Sequence, residues 1–283
     1  MYEAGELILT VAALRLVEKG VLNLDEPVDN VLPELQSLQV VGKNGNATPF
    51  RNSITTRMLL THTCGMDLAD PGWSRVHRCI HEPPHRTHVR SEDVLAMISE
   101  TLLVSEPGLH EARETLGPDV AGFLLERLCG QPLDVLLDDL IFAPLGMLDT
   151  GFYVREEGQQ RLAHCYRATR SGLSIAQTRQ DSVFLDAPSI FSASGLVSTV
   201  DDLEKFSMGL RGLLRTETLE ALFETAPRSA RTLGGFTSDG WLVAFGHATV
   251  HIFIHRDSGA YAIFATQVCP LVEVIHMEVW PVH

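Results

Sequence analysis

Polar side chains that could move a proton cluster in the stretch LHEARETLG at residues 109–117. His110 and Glu111 are followed at once by Arg113 and Glu114, so an imidazole, two carboxylates and a guanidinium lie close together in sequence. Such a set can act as a general acid and base when it lines a cleft. The same residues also suit an exposed polar loop. Between an acid–base cluster and such a loop, the sequence slightly favours the loop.

A second candidate lies in FGHATVH, where His247 and His251 are separated by three residues. On a single β-strand this even offset would place both imidazoles on the same face. Two histidines on one face suggest a metal, but no cysteine or aspartate stands at ligand spacing, so we predict no metal and no cofactor.

Two carboxylates, Glu3 and Glu6, stand one turn apart at the start of a predicted helix over Ala4–Lys19, which ends at Gly20. In principle they could form a coupled acid–base pair. Acidic residues are also favoured at a helix N-terminus by the helix dipole. We therefore interpret them as solvated charges on a frayed first turn.

The elements that must position these residues follow from hydrophobic periodicity and from start and stop signals. The predicted helices are Ala4–Lys19, Thr55–Leu60, Ser91–Thr101, Pro118–Leu128, Pro132–Ile141, Thr199–Leu210 and Thr216–Glu224. The predicted strands are Trp241–Phe245, Val250–His255 and Tyr261–Val268, and the last two are joined by the turn sequence RDSG. Loops are predicted for Asn44–Asn52 and Asp67–Arg90.

Composition narrows the function classes. The chain has 283 residues, is 45% hydrophobic and carries a net charge of -14, so it can bury a large core and should repel nucleic acid and anionic membrane. Its five cysteines form no CxxC pair, which favours a reducing compartment. The acidic first residues do not suit a signal peptide, so we expect a cytoplasmic protein.

The stretch ITTRMLLTHTCGMD at residues 54–67 resembles the ITxRxLLTHTSGL segment of the serine β-lactamase-like family. That family includes class C β-lactamases, penicillin-binding-protein-like carboxypeptidases, esterases and fungal transesterases. Other stretches agree with the family in the same order, namely Ala12–Leu35, Glu106–Gly108 followed by Gly122–Phe152, Ser192–Phe206 and Phe245–Gln267. Because the resemblance spans nearly the whole chain, the protein is identified as a member.

The resemblance implies an α+β fold in which an antiparallel sheet is flanked by helices and accompanied by an all-helical lobe. We expect one domain over 1–283, with the helical lobe at about 55–185 and the sheet-associated lobe at 1–54 and 186–283. Few residues precede the first helix, so we expect an incomplete sheet of about three strands. Its uncovered edge could support self-association.

Catalysis in the family uses Ser-x-x-Lys, Tyr-x-Asn and a Lys-Thr-Gly or His-x-Gly strand. Ungapped alignment places Glu3 and Glu6 at the serine and lysine. Counting from the neighbouring matched glycines places the Arg113–Thr115 tripeptide at Tyr-x-Asn, and a shift of one residue would place Glu114 at the tyrosine. The third motif is retained in part, because His247 occupies the Lys/His position and Thr249 replaces a glycine. The resemblance implies an architectural role for His62, which should satisfy buried backbone groups.

The candidate catalytic residues are therefore His247, Arg113 and Glu114, and the candidate substrate-binding residues are His110, Thr249 and His251. We predict a β-lactamase-related protein without the usual motifs that binds an acyl or polyketide-like small molecule between the lobes, with non-standard or lost catalysis. A non-catalytic interaction protein is the first alternative. The second is a residual esterase or transesterase that uses Ser192 or Ser194.

Overall fold

The computed structural model describes residues 1–42, 44–82, 87–112, 116–227 and 229–269 of the chain. The α-helices in these ranges are α1 (Gly5–Glu18), α2 (Thr56–Leu60), α3 (Pro71–His81), α4 (Ser91–Ser99), α5 (Gly117–Cys129), α6 (Leu133–Leu137), α7 (Ala143–Leu145), α8 (Val200–Leu213) and α9 (Thr216–Glu220). The predicted helices correspond, within a few residues, to α1, α2, α4, α5, α6, α8 and α9, and α6 continues into a π-helical turn.

The strands in the described ranges are β1 (Gln39–Val41), β2 (Ala47–Thr48), β3 (Leu102–Leu103), β4 (Cys165–Thr169), β5 (Gly172–Gln177), β6 (Arg231–Thr232), β7 (Gly235–Ser238), β8 (Trp241–Gly246), β9 (Val250–His255), β10 (Tyr261–Ala265) and β11 (Val268–Cys269). An antiparallel five-stranded sheet has the order β10-β9-β8-β7-β6. Two three-stranded sheets have the orders β2-β1-β3 and β11-β4-β5.

Helix α1 lies at the centre of the molecule. Its residues from Leu7 to Leu14 are all buried, so the helix is covered on every side. One face of the five-stranded sheet packs towards it, because Val250, Ile252 and Ile254 alternate along β9 as buried residues with half-exposed neighbours. The predicted α+β architecture of an antiparallel sheet and flanking helices is confirmed.

The prediction that Asp67–Arg90 is a loop is wrong for residues 71–81, which form α3. The Asp70 side chain accepts a hydrogen bond from the Gly72 amide at 2.8 Å, and Pro71 occupies the first helical position. Trp73, Val76 and Ile80 are spaced to share one face, and that face is buried. The sequence contains both the start signal and the helical spacing of apolar residues. The many polar residues between the apolar ones made the helix difficult to recognise.

The prediction of about three strands in the main sheet is also wrong, since five strands pair there. Strands β6 and β7 are only two and four residues long, which is too short for an alternating pattern to be recognised. The segment predicted as one strand over Tyr261–Val268 divides into β10 and β11, and β11 leaves the main sheet to pair with β4.

Candidate functional site

A 3-10 turn at Tyr2–Ala4 leads into α1 and meets the turn that joins β8 to β9. Gly246 packs so closely against the Met1 carbonyl that a side chain at this position would overlap it. This approach lets the backbone N–H of His247 donate a hydrogen bond to Oε2 of Glu3 at 2.7 Å. The His247 ring lies edge-on to Tyr2 with centroids 6.0 Å apart. The Glu3 carboxylate, in the turn before α1, is therefore held by a backbone amide of the β8–β9 turn.

The carboxylate of Glu6, in the first turn of α1, faces the signature segment. Nε2 of His62 donates to Oε2 of Glu6 at 3.0 Å, and the two side chains are only 4% and 14% exposed. The interpretation of Glu6 as a solvated charge is therefore wrong, because it pairs with a buried imidazole. Nδ1 of His62 is buried and has no hydrogen-bond partner among the described residues. His62 also has a φ of 58°, a conformation that most side chains disfavour.

The backbone of the signature segment supports the chain that precedes α5. The amides of Val104, Gly108 and Ala112 donate to the carbonyls of Gly65, Thr63 and His62 at 2.9, 2.8 and 2.9 Å. Gly65 has a φ of +88° and lies against the Ser105 carbonyl, so a side chain there would clash. The expectation that His62 satisfies buried backbone groups is wrong for its side chain, because the ring bonds the Glu6 carboxylate. The backbone bonds of the segment come from its main-chain carbonyls.

The LHEARETLG stretch is only partly described. Arg113 and Glu114, two of the candidate catalytic residues, lie outside the described residues. His110 is exposed. Glu111 accepts hydrogen bonds from the Ser229 hydroxyl at 2.7 Å, the Ala230 amide at 2.9 Å and Nε of Arg231 at 3.2 Å. The Glu111 carboxylate therefore ties the loop before α5 to β6, which sequence reasoning did not foresee.

The remaining candidates separate in space. His247 lies in a turn rather than on a strand, so the argument that its offset from His251 places both on one strand face is wrong. The His251 ring contacts Phe245, Phe253 and Phe264 on the sheet face opposite the buried alternation of β9. Burial lowers the pKa of His251.

Thr249 belongs to the same turn as His247 and has a φ of 58°. Its hydroxyl donates to the Val268 carbonyl at 2.8 Å, and its own carbonyl accepts from the Thr266 amide at 3.1 Å. Where the family resemblance expects a glycine, Thr249 thus fastens the turn to the segment that leads into β11.

The electrostatics of the site are set by burial. Burial raises the pKa of Tyr2 to about 12, with smaller contributions from Cys165, Cys269 and Glu3. Tyr2 therefore remains a neutral phenol beside His247 at physiological pH.

In the described part of the chain, no group of three histidine, cysteine, aspartate or glutamate side chains could hold a metal ion. Ser192 of the FSASG stretch is buried before a single 3-10 turn.

A cavity of about 300 Å³ lies elsewhere, among Asp70, Arg75, Val76 and Glu100 around α3 and the end of α4. It contains none of the residues that align with the three catalytic motifs. We therefore place the candidate site where the 3-10 turn before α1 meets the β8–β9 turn. No helix in the described ranges is both long and apolar enough to cross a bilayer.

The chain belongs to the beta-lactamase family, whose model matches residues 7–263. It is similar to an uncharacterized protein of Mycobacterium tuberculosis, with 31% identity over 235 residues that cover 80% of this chain and 56% of the relative. Monacolin J acid methylbutanoyltransferase of Aspergillus terreus is 28% identical over 236 residues, covering 79% of this chain and 56% of that enzyme. The chain thus spans about half the length of these curated relatives.

Solved structures support the same fold. EstCE1, a hydrolase with promiscuous acyltransferase activity, superposes with a TM-score of 0.76 at 22% identity, covering 95% of this chain and 79% of EstCE1. Simvastatin synthase from Aspergillus terreus superposes with a TM-score of 0.75 at 24% identity, covering 95% of this chain and 77% of the synthase. At these identities the likeness concerns the fold.

Proposed function

We propose that this chain binds an acyl compound between the 3-10 turn that precedes α1 and the β8–β9 turn, and that Glu3 and Glu6 prevent a covalent acyl-enzyme of the family's kind. The observation that carries the proposal is the 2.7 Å hydrogen bond from the His247 amide to the Glu3 carboxylate. It identifies a backbone donor directed at the position where the alignment places the nucleophile.

An amide that already binds a carboxylate has the geometry to bind the carboxylate or carbonyl of a ligand. The Glu3 side chain is exposed, so it can turn into water when a ligand takes its place. Glu3 then acts as an internal competitor, and its negative charge also repels an acidic ligand.

The residues at the serine and lysine positions argue against the family's serine acyl-enzyme. Glu3 has no hydroxyl that could form an acyl ester, and Glu6 faces His62 and supplies no amine to activate a hydroxyl. The choice of an acyl ligand is supported by the relatives, since one is a methylbutanoyltransferase and another is a lovastatin esterase.

Binding is tested with methylbutanoate as the probe, by NMR titration of the wild type, Glu3→Gln and His247→Ala. Glu3→Gln should tighten binding by about one order of magnitude, because a neutral amide competes less well and does not repel the probe. His247→Ala keeps the backbone amide but removes the imidazole, which we expect to be a second donor to the probe carboxylate, so it should weaken binding by about one to two orders of magnitude. We expect the same of Arg113→Ala, which removes a guanidinium donor. Glu157→Gln, which changes an exposed carboxylate on a 3-10 turn, is the control.

If the probe does not bind, or if Glu3→Gln and Glu157→Gln behave alike, the ligand site is wrong and the non-catalytic interaction protein becomes the better reading. Catalysis is tested separately with an activated ester and intact-mass measurement. We expect no stoichiometric adduct. A single adduct mapped to one serine would instead support the esterase alternative.

A further inference from the structure

Two cysteine sulfur atoms lie in contact across neighbouring strands. Sγ of Cys165 and Sγ of Cys269 are 3.1 Å apart, although the residues are 104 positions apart in sequence. Cys165 begins β4 and Cys269 ends β11, and both side chains are half-buried. The other three cysteines, Cys64, Cys79 and Cys129, lie near α2, in α3 and at the end of α5.

The strand register explains why the two sulfurs meet. Strands β11 and β4 are parallel, and Cys269 is the pairing partner of Arg167. Cys165 precedes Arg167 by two residues, so all three side chains belong to the same face. The register thus makes Cys165 and Cys269 diagonal neighbours on one face, and their side chains turn towards each other to bring the sulfurs to 3.1 Å.

We propose that Cys165 and Cys269 form a disulfide site that closes when the protein meets a peroxide. A disulfide has an S–S length of about 2.05 Å, so the sulfurs need to approach by only about 1 Å. That movement is small enough for the native strand pairing to persist.

The reaction balances with one peroxide as the oxidant. One thiol is oxidised to a sulfenic acid as the peroxide is reduced and releases water. The sulfur of the second thiol then attacks the sulfenic sulfur, and the hydroxyl leaves with the thiol proton as a second water. Burial raises the pKa of the Cys269 thiol to about 12, so its thiolate is scarce at neutral pH and closure should become faster as pH rises.

The disulfide would also restrain the candidate site. The segment before Cys269 is bonded to the β8–β9 turn, because the Thr249 hydroxyl donates to the Val268 carbonyl at 2.8 Å and the Thr266 hydroxyl donates to the Ala248 carbonyl at 3.2 Å. The same segment is bonded to β4, where the Tyr166 amide donates to the Gln267 carbonyl at 2.6 Å. Closing the disulfide therefore holds the turn that presents the His247 amide to Glu3.

The test is peptide mapping of the folded protein after treatment with hydrogen peroxide and alkylation of the remaining thiols. Trypsin should release Leu162–Arg167 joined to Asp257–His283, and reduction should separate them. Cys129→Ser, which alters another half-buried cysteine, should give the same linked pair, whereas Cys165→Ser and Cys269→Ser should give none.

A second measurement compares the melting temperature of the oxidised and reduced wild type. Closing a loop of this length should raise it by roughly 5–10 °C, and the double variant Cys165→Ser/Cys269→Ser should lose the rise. The proposal is overturned if both peptides are recovered separately, if either cysteine is joined to a third one, or if the link appears only after unfolding in urea.

Discussion

The Glu6 carboxylate and Nε2 of His62 lie 3.0 Å apart and join the first turn of α1 to the signature segment. The backbone of that segment in turn holds the chain before α5, through the bond from the Ala112 amide to the His62 carbonyl at 2.9 Å. One histidine thus connects two of the three regions that the family resemblance assigns to catalysis. Its role is to fix their relative position.

We expect His62→Asn and Glu6→Gln to show strong energetic coupling in a double-mutant cycle. His62→Asn removes the imidazole while keeping a residue that tolerates positive φ, and it leaves the partly buried Glu6 carboxylate without its partner. His62→Asn alone should lower the free energy of unfolding by about 2–4 kcal/mol. The coupling energy between His62→Asn and Glu6→Gln should be about 1–3 kcal/mol. Urea denaturation measures both. Strictly additive effects of the two changes would show that the contact is not stabilising.

We expect Glu111→Gln to loosen the connection between the loop before α5 and β6. The change removes the negative charge that accepts the bonds from Ala230 and Arg231. The side chains of Arg231 and Glu111 are only 12% and 22% exposed, respectively. Amide hydrogen exchange at residues 229–232 should become faster by about one order of magnitude. Glu217→Gln, at an exposed position of α9, serves as the control and should leave these amides unchanged.

Glu126 should lower the free energy of unfolding as pH rises, which is the opposite of the usual effect of a carboxylate. Burial raises the pKa of Glu126 in the folded state, so folding favours its protonated form. Its contribution is fully present below the unfolded-state pKa and is lost as pH rises through the folded-state pKa.

The variant Glu126→Gln keeps the acceptor for the Leu133 amide, which lies at 2.8 Å, and removes the titrating proton. Its melting temperature should exceed that of the wild type at about pH 7, and the difference should vanish at about pH 4. A difference that stays constant across this range would contradict the assignment to Glu126.

Self-association through the sheet edge stays a prediction. Strand β10 ends the five-stranded order in the described part of the chain, and its Phe264 is 57% exposed. Phe264→Lys should reduce any concentration-dependent increase in molar mass seen by light scattering. Leu148→Lys, at an exposed position outside the described strands, is the control. If the wild type remains monomeric at all concentrations, the prediction of self-association is wrong.

Most helices could be predicted because helix signals are local. The Thr199 side chain accepts from the Asp202 amide at 3.3 Å and begins α8 as its position before two acidic residues indicated. The short strands β6 and β7 could not be predicted in this way. They are strands because they pair with a neighbouring strand, β6 with β7 and β7 with β8, and not because of a pattern in their own residues.

The sequence by itself determined the family, the fold class, most helices and the final strand pair, since these depend on contiguous patterns. The tertiary structure decided which polar groups meet. Glu6 and His62 are 56 residues apart, Cys165 and Cys269 are 104 apart, and Glu3 and His247 are 244 apart. No local pattern encodes such pairs. The two glutamate pairs form only when α1 and the turn before it pack against the β8–β9 turn and the signature segment, and the cysteine pair forms only when β11 pairs with β4.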